Sequence, residues 1–109
     1  QLRDYPQEVF ACIFLNNRHR VIAFEELFQG TLNESAVYPR EIIKKVIEHH
    51  ACAVIFAHNH PSGEAKPSEA DKSITKELQT ALLHLNVNVL DHFIIGDNEI
   101  FSFKEQGWL

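Results

Sequence analysis

The chain of 109 residues contains no methionine, one tryptophan, two cysteines and four glycines, and each scarcity excludes something. Without a methionine there is no initiator, so the expectation is a single domain over residues 1–109 that forms the C-terminal part of a longer chain. Gly30 and Gly63 stand in turn-like contexts, and so few glycines rule out a glycine-rich phosphate loop. Cys12 and Cys52 lie far apart in apolar segments with no C-x-x-C spacing, which excludes a dithiol redox motif or a cysteine zinc ribbon. They read as two buried free thiols, which suits a reducing compartment. The longest apolar run, "ACAVIFA" at 51–57, falls far short of the roughly 20 residues that cross a bilayer. No secretory segment is seen either, so a cytoplasmic location without membrane association is expected.

Clustered positive charge is also missing. The net charge is −5, and no basic run exceeds the pair Lys44-Lys45. Domains that grip a phosphate backbone carry a basic face, because neutralising phosphates drives that binding. Nucleic-acid binding by this domain alone is therefore disfavoured.

What is present is a succession of short apolar runs separated by turn chemistry. "VFACIFL" (9–15) and "VIAFEELF" (21–28) read as two strands joined by "NNRHR", with Asn16-Asn17 supplying the turn. "QGTLNES" interrupts the pattern, and "YPREIIKKVIEHH" then opens a helix with Pro39 in its first turn. Ile42, Ile43, Val46 and Ile47 form its apolar stripe. "ACAVIFA" is β-branched at its centre and reads as a central strand buried on both faces. "SEADKSITKELQTALLHLN" is the strongest helix, with Ile74, Leu78, Ala81, Leu82 and Leu85 on one side. "VNVLDHFIIG" and "EIFSF" follow as strands joined by the hairpin-like "GDNE". The order β-β-(β)-α-β-α-β-β predicts a mixed sheet with helices packed on it, of α/β or α+β class.

The chemistry concentrates in "AHNHPSGEAKPSEAD" (57–71), where the central strand ends and the long helix begins. Side chains two apart on a strand share a face, so His58 and His60 point one way and Asn59 the other. Neutral imidazoles are the commonest metal ligands. Asp71 falls in the first turn of the helix, facing back toward the strand end. Two histidines and a carboxylate leave a fourth position open, the geometry of a catalytic rather than a structural zinc. The competing reading needs no metal. Ser68-x-x-Asp71 is also a capping box, in which the serine caps the helix and the acid reaches back, worth ~1 kcal/mol. The two imidazoles beside the carboxylate favour the metal.

The run His58-x-His60, seven residues, Ser68, two residues, Asp71 resembles the JAMM signature of JAB/MPN-domain metallopeptidases. Within that group, "HNHPSGEAKPSEAD", "FQGTLNESAVYPREI" and "VLDHFIIGDNEIFSF" resemble the RadC family, so the likeness covers the chain from about Glu8 onward. The resemblance implies an α-β-α sandwich of cytidine-deaminase-like architecture, a mixed β-sheet flanked by helices. It does not imply deaminase chemistry, whose H-x-E and P-C-x-x-C are absent. It implies one zinc per chain on His58, His60 and Asp71, and a Ser68 hydroxyl that supports the tetrahedral intermediate. It also implies Glu8 as general base on a zinc-bound water; should Glu8 not fill that role, Glu34 and Glu41 are the next carboxylates to test. The substrate would be a peptide or protein, cut at an amide or isopeptide bond. Two other functions stay open: a DNA-repair factor or metal-dependent nuclease, and a non-catalytic MPN-type binding module. His49-His50 read as helix-end capping residues, His19 and His84 as surface residues, and His92 as a hydrogen-bonded sheet histidine.

Overall fold

The computed structural model describes residues 7–29 and 37–109. The Gly30 turn, Glu34 and the optional strand before the first helix lie outside them. Five strands and two helices are described: β1 (Val9–Leu15), β2 (Val21–Gln29), α1 (Pro39–His49), β3 (Ala53–Asn59), α2 (Glu69–Leu83), β4 (Asn88–Ile95) and β5 (Ile100–Ser102). The strands form one mixed sheet in the order β2-β1-β3-β4-β5. β3 lies at its centre, antiparallel to β1 and parallel to β4. That position accounts for its unbroken apolar text, since a strand with neighbours on both sides and helices above it has little contact with water.

Each connection follows from local chemistry. Between β1 and β2 the Asn16 side-chain oxygen accepts from the backbone N–H groups of Arg18 and Arg20, and His19 takes the left-handed conformation. α1 starts at Pro39, whose missing N–H costs nothing at a helix N-terminus, and ends at His50 in the left-handed region (φ 55°). β3, α2 and β4 make the parallel unit, with α2 crossing from one strand to its neighbour.

Both helices contribute to one buried cluster. Ile42 and Val46 of α1 and Ile74, Leu78 and Leu82 of α2 meet Phe10, Cys12 and Phe14 of β1 and Val54 and Phe56 of β3. Two stripe residues are exposed. Ile47 is exposed because the inward line of α1 runs Ile42, Val46, His49 instead. Leu85 is exposed because α2 ends before it, with His84 as its C-cap. Cys52 is a correction as well: it is exposed, not buried, because β3 begins one residue later and Cys52 sits in the turn before it. Cys12 is buried as expected, and burial pushes its thiol pKa far up, so it stays protonated. Among the described residues, no helix is long and apolar enough to cross a membrane.

Candidate metal centre

The end of β3 and the start of α2 bring His58, His60 and Asp71 together. One ligand atom from each lies within 4.8 Å of the others. His58 Nε2 stands 3.2 Å from Asp71 Oδ1, and His60 Nε2 stands 3.1 Å from Asp71 Oδ2. The two Nε2 atoms are themselves 3.1 Å apart. The other nitrogen of each ring is engaged elsewhere. His60 Nδ1 donates to the Glu64 carbonyl oxygen at 2.9 Å, and His58 Nδ1 lies 2.8 Å from His92 Nε2 in the core. Two imidazole nitrogens and a carboxylate thus converge on one point, a donor set that suits a divalent cation such as zinc. His58 is fully buried while His60 and Asp71 are partly exposed, so the cluster opens to solvent on one side.

The capping box and the cluster turn out to share Asp71. Ser68 Oγ accepts from the Asp71 N–H at 3.0 Å, and the Ser68 N–H donates to Asp71 Oδ2 at 2.8 Å. The capping box and the group of His58, His60 and Asp71 therefore coexist in one geometry. The cap fixes the rotamer that aims the carboxylate at the histidines. It also uses a lone pair of Ser68 Oγ and not its proton, which leaves the hydroxyl able to donate.

Charge in the cluster is strongly coupled. Burial works to raise the Asp71 pKa, but the His58 and His60 rings beside it outweigh that and hold the carboxyl well below the usual carboxylate range. The Asp71 hydrogen bond raises the His60 pKa, with smaller help from the Glu64 carbonyl and the Glu8 charge. The pH consequence for metal-free protein has a definite sign. A depressed Asp71 stabilises the fold above about pH 4 and loses that contribution as pH falls through its folded value. A raised His60 stabilises below about pH 6.5 and loses its contribution as pH rises through its folded value. The melting-temperature gap between wild type and Asp71→Asn, measured in chelator, should therefore be widest between these limits and narrow as pH climbs above about 6.5. A gap that stayed flat into the alkaline range would contradict the coupling.

Glu8 lies just ahead of β1, half-buried, on the side of His60, where its charge is felt. Asn59 shows how it is kept there. Its side-chain oxygen accepts from the Val9 N–H at 2.7 Å and its amide donates to the Gln7 carbonyl at 3.0 Å. The asparagine between the two histidines thus clasps the backbone on both sides of Glu8. The signal for that role is the strict alternation His-Asn-His, which places Asn59 on the opposite face from the two histidines. Glu41, the alternative carboxylate, pairs with Arg40 and Lys44 in the first turn of α1.

Other expectations resolve simply. Gly63 turns the chain after His60 at φ 92°, and a Cβ there would stand 2.5 Å from Asp97 Oδ2 in the β4–β5 hairpin. His49 is more than a cap: it pairs with Glu25 of β2 and packs on Phe14, while His19 and His84 are exposed as read. His92 is a fully buried, hydrogen-bonded sheet histidine. Burial first, and the neighbouring His58 charge second, push its pKa well below the usual imidazole value, so it is neutral. Thr75, four residues after Asp71 on the same side of α2, bonds to its other nitrogen. That i,i+4 spacing was the available signal for Thr75.

A mixed sheet whose central strand and following helix present two histidines and an aspartate around one point defines an α/β domain with a group positioned for a metal ion. The chain belongs to the RadC-like JAB domain family, whose family model matches residues 1–108. It is 58% identical over 109 residues to a UPF0758 protein of Nitrosococcus oceani, covering all of this chain and 49% of that relative. It is 59% identical over 108 residues to a UPF0758 protein of Photobacterium profundum, covering 99% of this chain and 48% of that one. A UPF0758 protein of Cellvibrio japonicus is 57% identical over 109 residues, with 100% and 49% covered. The chain spans about half the length of the curated relatives it matches.

Proposed function

We propose that this domain is a zinc-dependent hydrolase of the JAMM type, acting on an amide or isopeptide bond of a peptide or protein substrate. The observation that carries the reading is the convergence of His58 Nε2, His60 Nε2 and the Asp71 carboxylate on one solvent-open point, with Glu8 two residues ahead of Phe10, the β1 partner of His58. Membership of a JAB-domain family supports it. His58, His60 and Asp71 would hold the ion, one per chain. A bound zinc would supply Lewis acidity and ease the ionisation of water near neutral pH.

The chain's own residues do the rest. Glu8 takes a proton from the attacking water and delivers it to the leaving amine. Asn59 keeps the backbone around Glu8 in place, and the capping box keeps Asp71 in its rotamer. Ser68 has a proton to donate toward the oxygen that gains negative charge.

Ser68 separates capping from chemistry. Ser68→Ala should lower stability by ~1 kcal/mol through loss of the cap. It should also lower turnover by ~10²–10³-fold with zinc retained, because one oxyanion donor is gone. Melting, metal content and rate measured together on the variant check this. A stability loss with unchanged turnover would leave Ser68 as a cap only.

The activity itself is tested on a panel of proteins with isopeptide-linked or flexible C-terminal tails, scored by mass spectrometry. Cleavage that disappears on chelation and returns with zinc is expected. Zinc-dependent scission of DNA with every peptide bond intact would favour the nuclease reading instead. Zinc binding without cleavage of either would favour the binding module.

A further inference from the structure

His92 and Thr75 lie outside the cluster, yet their protons decide what His58 can offer to it. The chain of hydrogen bonds has one fixed end. The Thr75 hydroxyl is 2.7 Å from the Asp71 carbonyl oxygen, which has no proton, so the hydroxyl donates. The Thr75 oxygen therefore faces His92 Nδ1, 2.6 Å away, with a lone pair, and His92 Nδ1 must be the donor. His92 is fully buried, and its ring nitrogens meet Thr75 and His58 with no carboxylate to balance a buried imidazolium, so its other nitrogen carries no proton. Its ring plane is held by Phe103, stacked with centroids 4.7 Å apart and planes 16° apart, and by the edge of Phe10. The His92 Nε2 lone pair meets His58 Nδ1 at 2.8 Å, and His58 Nδ1 therefore carries the proton. His58 Nε2 is left with its lone pair, facing His60 and Asp71. Reversing any one bond would set two protons or two lone pairs against each other inside the core, where no water can relieve them.

We infer that Thr75 and His92 are positioning residues that fix His58 in the tautomer protonated at Nδ1, so that its Nε2 lone pair is presented to a divalent cation before one arrives. The inference rests on reading the cluster as a metal centre. It adds the device that makes a fully buried histidine a ligand rather than a core residue. Histidine ligands generally need such a partner on the second ring nitrogen, and its loss typically weakens metal binding about 10–100-fold. Here the partner is a second imidazole, itself set by a threonine one helical turn beyond the carboxylate ligand. His60 reaches the same tautomer by a shorter route, through the Glu64 carbonyl.

The test uses histidine ring ¹⁵N shifts of chelated protein at about pH 8, above the ordinary imidazole pKa, together with zinc affinity by chelator competition. In wild type, His58 should report a proton on Nδ1 with no metal present. Thr75→Val is nearly isosteric but removes the acceptor for His92, so the His58 signal should shift toward the other tautomer. Zinc affinity should fall about 10–100-fold, and Thr75→Ser should restore both. Wild-type His58 protonated at Nε2, or Thr75→Val with unchanged tautomer and unchanged affinity, would overturn the relay while zinc uptake left the metal centre standing. The Nδ1 tautomer in a wild type that takes up no zinc would overturn the metal centre, and the purpose of the relay with it. The wild-type tautomer needs no variant, so it decides the matter even where Thr75→Val fails to fold.

Discussion

His60→Ala should purify with almost none of the zinc that wild type carries. Loss of an outer-shell partner alone typically costs about 10–100-fold in metal affinity, and loss of a ligand removes more than that. His60 is the clean position, because it sits just beyond β3, partly exposed, and its removal leaves the core intact. His58→Ala should lose zinc as completely but at a cost to the fold. Its ring packs against Phe10 at 5.9 Å between centroids, and its Nδ1 serves His92 in the core. The truncation leaves a cavity and an unpaired buried nitrogen, each of which destabilises by about 1–3 kcal/mol or more. Elemental analysis beside thermal melts distinguishes the two variants. His60→Ala that retains a full equivalent of zinc would remove it from the ligand set.

The second large effect is expected at Glu8. Glu8→Gln keeps the size of the side chain and the Asn59 clasp on its flanking backbone, so fold and zinc content should not change. The amide cannot take a proton from water, and general acid–base catalysis of this kind contributes about 10²–10⁴-fold. Turnover on any substrate found should fall by that range. The acid limb of the rate profile should change too, since it reports the carboxylate and the nucleophilic water as a coupled pair. Unchanged turnover would transfer the role to another carboxylate, and Glu41, paired with Arg40 and Lys44, would be a poor one.

The parts of this protein that follow from local pattern were legible in the sequence. Apolar runs and turn chemistry located all five described strands and both helices, because each element carries its own period and its own punctuation. The grouping of His58, His60 and Asp71 was legible for the same reason: an H-x-H at a strand end fixes a common face, and Ser68-x-x-Asp71 fixes a helix start. What depends on long-range pairing was not. Placing β1 between β2 and β3 is a choice of partners, and it is what sets Glu8 beside His60. The burial of His92 and its link to His58 across the β3–β4 pair arise only once the parallel strands are aligned. Cys52 and Leu85 differ because element ends lie a few residues from where the pattern puts them, and a residue at an end gains or loses its cover with them. Ile47 differs because the inward line of α1 runs through Ile42, Val46 and His49.

The clasp by Asn59 and the relay through Thr75 and His92 also explain why the site is held by so few elements. One strand end and the turn that follows it, one helix start and one neighbouring strand supply the three proposed ligands and their hydrogen-bonded partners. A rigid centre of this kind needs little rearrangement to receive an ion. Metal binding should therefore stabilise the native state by mass action rather than create it.

The most direct test is a calorimetric titration of zinc into chelator-stripped protein. The account predicts about one equivalent bound per chain, with the isotherm abolished in His60→Ala and in Asp71→Asn. A wild type that showed no saturable uptake, or variants that bound zinc as the wild type does, would contradict the metal centre and leave Ser68 and Asp71 as a helix cap beside two hydrogen-bonded histidines.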